Sequence, residues 1–182
     1  MGRDTYHRFF EGYTEEKVPG DDGKLHTKRV YRDFLYVPRL TRAERAMRLL
    51  GYPLLYLAGI SLFISGATRE AACNTAWYAA LATGLSLVCA VIEAVPLFCC
   101  AFGPEEQTVY QFRSGHRTCV LWARITAGAM ALTAVLALIA TLLGGDGAWV
   151  PPLLFALACA CEAAVGVLES RVAYEKRTNP NA

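Results

Sequence analysis

Four long apolar stretches constrain this chain more than any other feature of its sequence. They cover residues 49–67, 75–101, 125–143 and 149–168. Each reaches the roughly 18–20 apolar residues that a helix needs to cross a hydrocarbon core. Charged residues make up 19% of the chain, against about 25% in soluble domains. The sequence therefore predicts an all-α membrane protein, a four-helix transmembrane bundle made of two antiparallel hairpins.

Basic residues flank these stretches unevenly, and their distribution predicts an orientation. Cytoplasmic loops next to membrane spans are enriched in Lys and Arg. Two of the three inter-span loops together contain a single basic residue, Arg69. We therefore predict that both termini and the middle loop are cytoplasmic, in the inner membrane if the host is a bacterium. The residues that support this orientation are Arg39, Arg42, Arg45, Arg48, Arg113, Arg117, Arg171, Lys176 and Arg177.

The polar and apolar regions divide the chain into three predicted segments. Residues 1–48 form a cytoplasmic N-terminal segment, residues 49–171 the four-span transmembrane domain, and residues 172–182 a cytoplasmic tail. Within the first segment, Thr41 and Glu44 have the spacing of a capping box. We therefore expect a helix to begin there and to continue into the first span.

A small β-hairpin is predicted within the N-terminal segment. Residues 13–17 and 24–35 are rich in β-branched and aromatic residues, and a Pro-Gly-Asp-Asp-Gly cluster at 19–23 separates them. Such clusters favour tight reversals, because glycine accepts positive φ. Pro38 is expected to end the second strand. An isolated hairpin is marginal in water, so we expect it to rest on the membrane surface, the middle loop or a partner.

A stripe of small residues marks one face of the fourth apolar stretch. Ala156, Ala160 and Ala164 recur every four residues. Small side chains at this spacing allow two helices to approach closely in a membrane. We expect this face to pack inside the bundle.

Three ionisable residues lie within the apolar stretches or at their edge. With a rise of about 1.5 Å per residue, Glu93, Arg124 and Glu162 lie about 9–14 Å from the cytoplasmic ends of their helices. Charges inside a span are costly and usually face a bundle interior. We therefore predict an intramembrane charge cluster of these three residues, in which Arg124 can clamp a carboxylate.

The role of this cluster has several alternatives. It can be a proton- or cation-binding site open to the cytoplasm, near a distortion of the second span at Pro96. It can equally be a structural salt bridge that fixes spans two, three and four, or Arg124 can extend to the interface instead. A soft-metal site is a weaker alternative, and its ligands would be Cys89, Glu93, Cys159 and Glu162.

The sequence contains few signs of catalysis or of a bound cofactor. All three histidines lie outside the apolar stretches, so a bis-histidine haem between spans is disfavoured. No zinc-protease, nucleophile-elbow or phosphate-loop motif is present. We predict no catalytic residue, no cofactor, no resident metal and no nucleic-acid partner, and we favour a non-enzymatic protein.

Two functions fit these features best, and a membrane enzyme that uses residues at the cytoplasmic face is a third, weaker option. The leading hypothesis is an accessory or scaffold protein in the lipid bilayer, which binds another membrane protein or itself. The alternative is a small oligomeric proton- or cation-coupled transporter that uses Glu93, Arg124 and Glu162.

Overall fold

Four long helices dominate the structure, a computed structural model that describes residues 12–19, 25–145 and 147–179. Each of the four is long and apolar enough to cross a membrane, as the sequence predicts. A fifth, short helix lies in the first inter-span loop. The helices are α1 (Arg42–Ala67), α2 (Ala72–Thr75), α3 (Trp77–Phe102), α4 (Val109–Gly144) and α5 (Val150–Ser170).

The start of α1 confirms the predicted capping box. The backbone N–H of Glu44 donates to the Thr41 hydroxyl at 3.3 Å. The Glu44 carboxylate accepts from the Thr41 N–H at 2.7 Å. By contrast, α4 begins at Val109, well before the apolar stretch at 125–143. The extra turns are polar, so hydropathy alone does not detect them.

The helices pack as a ring in which α5 contacts both α1 and α4, and α3 contacts α4. The contact between α1 and α3 is smaller, although a short loop joins them. We call the end where α1 starts, α3 ends and α4 starts the basic end. The opposite end, with the loop at residues 68–71 and the described loop residues 145 and 147–149, is the short-loop end.

Large apolar side chains cover the outside of the ring. Leu54, Val91, Val95, Leu142 and Leu153 are each more than 60% exposed. The buried positions are dominated by small residues, including many alanines, and by polar residues. An apolar exterior around a small-residue core is the pattern of helices that pack within lipid.

The predicted packing of the alanine stripe is wrong. Ala156 and Ala160 are exposed, and Ala164 is only half-buried. The buried face of α5 is instead the one that includes Ala158 and Glu162. Spacing identifies a stripe but not which side of a helix the neighbours occupy, and here the stripe faces outward.

Two small antiparallel sheets lie outside the long helices. Strands β1 (Tyr13–Pro19) and β2 (Leu25–Tyr31) confirm the predicted hairpin, with Tyr13 opposite Tyr31. The predicted turn at 19–23 lies mostly outside the described residues. β3 (Leu35–Pro38) pairs with β4 (Tyr174–Arg177), which the sequence analysis did not predict. Pro38 is therefore the last residue of a separate strand rather than a strand breaker.

Both sheets are attached to the loop and helix that follow α3. Tyr36 and Gln107 exchange two backbone hydrogen bonds, at 2.8 and 3.0 Å. The Val109 N–H donates to the Tyr31 hydroxyl at 3.1 Å. The β1–β2 hairpin therefore contacts the middle loop, which is one of the three supports expected for it. Through β4, the segment after α5 pairs with the segment before α1.

Candidate functional site

Buried polar side chains in the bundle recur at intervals of seven residues. Seven residues are about two helical turns, so side chains at this spacing share one face, as in knobs-into-holes packing. The repeat places side chains in layers about 10 Å apart. The buried series are Ser86, Glu93 and Cys100 on α3, Cys119, Thr126 and Thr133 on α4, and Glu162 and Glu169 on α5.

The central layer contains two of the three predicted site residues, and we call Glu93 and Glu162 the acid pair. Both side chains are fully buried. The Glu93 carboxyl interacts with the Glu162 carboxyl and with the Thr126 hydroxyl, without forming a hydrogen bond to either. On α1, a Cβ atom added at Gly59 would lie 2.8 Å from Glu162 Oε1. Glycine at this position therefore gives the carboxyl its space.

The acid pair has more acceptors than donors. Within the described part of the chain, all four carboxyl oxygens of Glu93 and Glu162 lack a hydrogen-bond donor. The nearby Tyr56 hydroxyl donates to the Ala90 carbonyl at 2.8 Å, so it does not serve the acids. Buried polar atoms are normally satisfied. An unsatisfied group of this size is therefore chemically able to accept a proton or a cation.

The predicted participation of Arg124 is wrong. Arg124 is exposed on the outer face of α4 and contributes to neither acid's environment. Two residues along a helix rotate a side chain by about 200°, so Arg124 points away when Thr126 points in. Depth from the helix end was predicted correctly for the acids, but depth carries no information about rotation.

A second buried cluster lies one layer closer to the basic end, and sequence analysis did not find it. Its centre is Glu169, which is fully buried. Arg48 Nη2 donates to Glu169 Oε1 at 3.1 Å, and His116 Nδ1 lies 2.6 Å from the same oxygen. The Tyr174 hydroxyl also donates to Glu169 at 3.1 Å. We call these four residues the Glu169 cluster.

Two π-helical turns bring partners to Glu169. One turn, Met47–Gly51, carries Arg48, and the other, Arg113–Arg117, carries His116. A π turn inserts a residue into a helix and changes the direction of the side chains around it, and such turns are frequent at functional sites. The sequence offered a signal for Glu169 itself, because it follows Glu162 by seven residues.

The surroundings of the Glu169 cluster extend its hydrogen-bond network. Arg48 Nη2 donates to the Tyr174 hydroxyl at 2.6 Å and to Cys100 Sγ at 2.9 Å. Burial, together with the negative charge of Glu169, raises the pKa of the Tyr174 phenol, which opposes its ionisation. The tail strand β4 is thereby held through a neutral phenol that both accepts and donates a hydrogen bond.

Toward the short-loop end, the polar layers give way to apolar packing. Ser86 and Thr133 pair through their hydroxyls at 3.0 Å. Next to them, the rings of Phe63 and Phe155 pack with centroids 4.9 Å apart. Met130 is fully buried in the same core. The acid pair thus has a titratable cluster on its basic side and a packed apolar core on the other.

The geometry does not support the soft-metal alternative. The Cys159 thiol donates to the Ala127 carbonyl at 3.3 Å. Among residues that the structure describes, no three Cys, His, Asp or Glu side chains form a metal-binding group.

No protein-family model, curated protein or solved structure matches this chain significantly.

Proposed function

We propose that this chain is a small membrane transporter in which the acid pair is the ion-binding site, coupled to a proton or a cation. The observation behind this proposal is that Glu93 and Glu162 lie in one layer and interact with each other, both fully buried and lacking hydrogen-bond donors in the described part. A structural salt bridge would place a basic side chain beside them. The exposed position of Arg124 therefore favours ion binding over that alternative.

Local backbone features support an ion site at this depth. Pro96 lies inside α3, three residues after Glu93. A proline within a helix removes one backbone hydrogen bond, and interrupted helices recur at the ion sites of transporters. Gly59 on α1 leaves room for the Glu162 carboxyl. All four long helices therefore contribute to the layer, so a shift of any one of them changes the site.

The proposed orientation places the basic end in the cytoplasm. The positive-inside rule supports it, because the arginines just before and in the first turns of α1, in the first turns of α4 and after α5 share that end. The lipid bilayer covers the apolar outer surface, and in a bacterium this is the inner membrane.

Ion movement into proteoliposomes tests this function. Purified protein is reconstituted with a pH-sensitive dye inside, and proton or cation gradients are applied under a potassium diffusion potential. We expect Glu93→Gln and Glu162→Gln to abolish flux, because each loses a titratable oxygen. Arg124→Gln is the matched control and should retain flux. Equal flux in protein-free and protein-containing liposomes contradicts the proposal.

A scaffold role, the leading hypothesis from sequence, keeps one supporting observation. The alanine stripe of α5 faces outward at Ala156 and Ala160, where another helix can approach closely. We propose that this face contacts a second copy or another membrane protein. Native mass spectrometry in mild detergent tests this, with Ala160→Trp expected to dissociate the assembly and Val91→Trp, on the outer face of α3, to preserve it. A monomer in the wild type contradicts self-association, and a stoichiometric second polypeptide favours the scaffold.

A further inference from the structure

We infer, building on the ion-binding function proposed above, that the acid pair binds a proton, which exchanges with the basic end through Glu169 and His116. The chemistry of the central layer, the position of the Glu169 cluster and the packing toward the short-loop end each contribute to this assignment.

The central layer suits a proton better than a metal cation. Two ionised carboxylates that lie together in one buried layer repel strongly in a low-dielectric interior. One shared proton removes a charge and supplies the missing donor between Glu93 and Glu162. Hard cations instead require about six or more oxygen ligands. Beyond the acids, this layer offers the Thr126 hydroxyl, while Cys159 and Cys161 are sulfur groups beside Glu162.

The Glu169 cluster lies between the acid pair and the protein surface. His116 is 15% exposed, whereas Glu169 is fully buried and hydrogen-bonded to it. Imidazole is the side chain best suited to shuttle protons near neutral pH. The other charged or titratable groups that face Glu169 are Arg48, Tyr52, Cys100, Cys119 and Tyr174.

One buried side chain in the layer of Glu169 also interacts with the central layer. Cys119 is fully buried, touches Cys100, and is close enough to interact electrostatically with both Glu169 and Glu93. On the α1 side, Tyr56 interacts with both acids of the pair. The layers are about 10 Å apart along α5, farther than one hydrogen bond. Exchange therefore requires water to enter transiently between them.

The proton balance involves no change in bonds between heavy atoms. A proton on His116 Nδ1 moves to Glu169 Oε1 and leaves a neutral imidazole, which takes another proton from solvent. The proton on Glu169 then passes through the transient water to the acid pair. Toward the short-loop end, the rings of Phe63 and Phe155 and the side chain of Met130 separate the pair from solvent. This packing assigns exchange to the basic end.

Infrared spectroscopy of the reconstituted protein tests the inference directly. A protonated carboxyl has a C=O stretch distinct from that of a carboxylate, and it shifts when H₂O is replaced by D₂O. We expect a carboxylic band at neutral pH that the Glu93→Gln/Glu162→Gln double variant lacks and that sodium, potassium or calcium chloride leaves unchanged. His116→Ala should slow its deuterium exchange by roughly tenfold or more, as expected for loss of an acid–base group.

Two further measurements separate a proton route from a structural effect. Added imidazole should restore fast exchange in His116→Ala, which repair of misfolding would not do, and Arg124→Gln should exchange like wild type. Loss of the band on adding one of these salts would overturn proton binding while leaving the proposed ion site standing. Unchanged exchange in folded His116→Ala would overturn the route. Absence of liposome flux with an intact band would instead contradict the transport function.

Discussion

Gly59 is a residue at which α1 packs directly against the acid pair. A Cβ there would lie 2.8 Å from Glu162 Oε1, whereas a Cβ at Gly128 on the outside of α4 meets nothing within 4 Å. We expect Gly59→Ala to lower the free energy of unfolding by about 1–3 kcal/mol through overpacking. Gly128→Ala should change it by less than about 1 kcal/mol. Thermal unfolding in detergent measures both, and equal stability of the two variants would show that the carboxyl moves freely.

Arg48 and Glu169 form the buried ion pair of the molecule's basic end, with side chains 7% and 0% exposed. Glu169→Gln should lower the free energy of unfolding by about 3–5 kcal/mol, because the Arg48 charge stays buried without its partner. Combining Arg48→Met with Glu169→Leu should cost less than the sum of the single changes. Melting temperatures in detergent provide the comparison, with Arg124→Gln as the unaffected control. Additive effects would argue against direct coupling.

Sequence identified the acids of the central layer but not their partners. Glu93 and Glu162 stand out because charges are rare in apolar stretches. Their similar depth follows from helical rise alone. Tertiary packing decides which face of α4 meets the neighbouring helices. That choice places Thr126 beside the acids and Arg124 on the outside. The Glu169 cluster was missed for two reasons. His116 lies where a loop was expected, and Arg48 was interpreted only as one of the basic residues that set the orientation in the membrane.

At the scale of elements, the pairing of β3 with β4 closes the basic end. Arg39 and Glu175 form an exposed ion pair at 3.0 Å beside it, and this hydrogen-bonded pairing lowers the pKa of Glu175. The stabilisation is therefore present above the usual carboxyl range and is lost as pH falls through the lowered pKa. Its size is small, because exposed pairs are screened by solvent.

Alkaline pH should act on the same strand through Tyr174. Its pKa is raised, chiefly by burial, so the docked strand holds a neutral phenol while a detached strand ionises. Docking of β4 is thus fully present below the ordinary tyrosine pKa and weakens as pH rises above it. Protection of the Tyr174–Arg177 amides from hydrogen exchange, corrected for the intrinsic exchange rate at each pH, should be greatest near neutral pH and smaller at both extremes. Tyr174→Phe should remove the alkaline response, and its persistence would contradict this assignment.

Local signals predicted some elements well, and long-range pairings were not predictable from them. The capping box at Thr41 and the β1–β2 hairpin depend on residues close in sequence, so motif spacing finds them. The β3–β4 pair joins segments 136 residues apart at Arg39 and Glu175, and four residues of strand carry no distinctive pattern. The early start of α4 was hidden for a related reason, since its first turns are polar.

The two ends of the whole molecule differ in charge, and cysteine labelling can test which end faces the cytoplasm. In a Cys99→Ser background, we introduce cysteine at Glu70 in the short-loop end or at Thr178 after β4, both exposed positions. With an impermeant maleimide on intact cells, Glu70→Cys should label and Thr178→Cys should label only after permeabilisation. This outcome follows from the positive-inside rule. The reverse labelling pattern would invert the proposed orientation and place proton exchange on the outer side.

The position of α5 has a consequence for the order in which the protein is made. Ribosomes deliver α1, α3 and α4 first, yet the partner of Arg48 and the partner of Glu93 both lie on α5. Until α5 is inserted, the growing chain holds an unneutralised guanidinium and a lone acid among three apolar helices. A chain cut short before residue 150 should therefore be less stable in the membrane than one that includes α5.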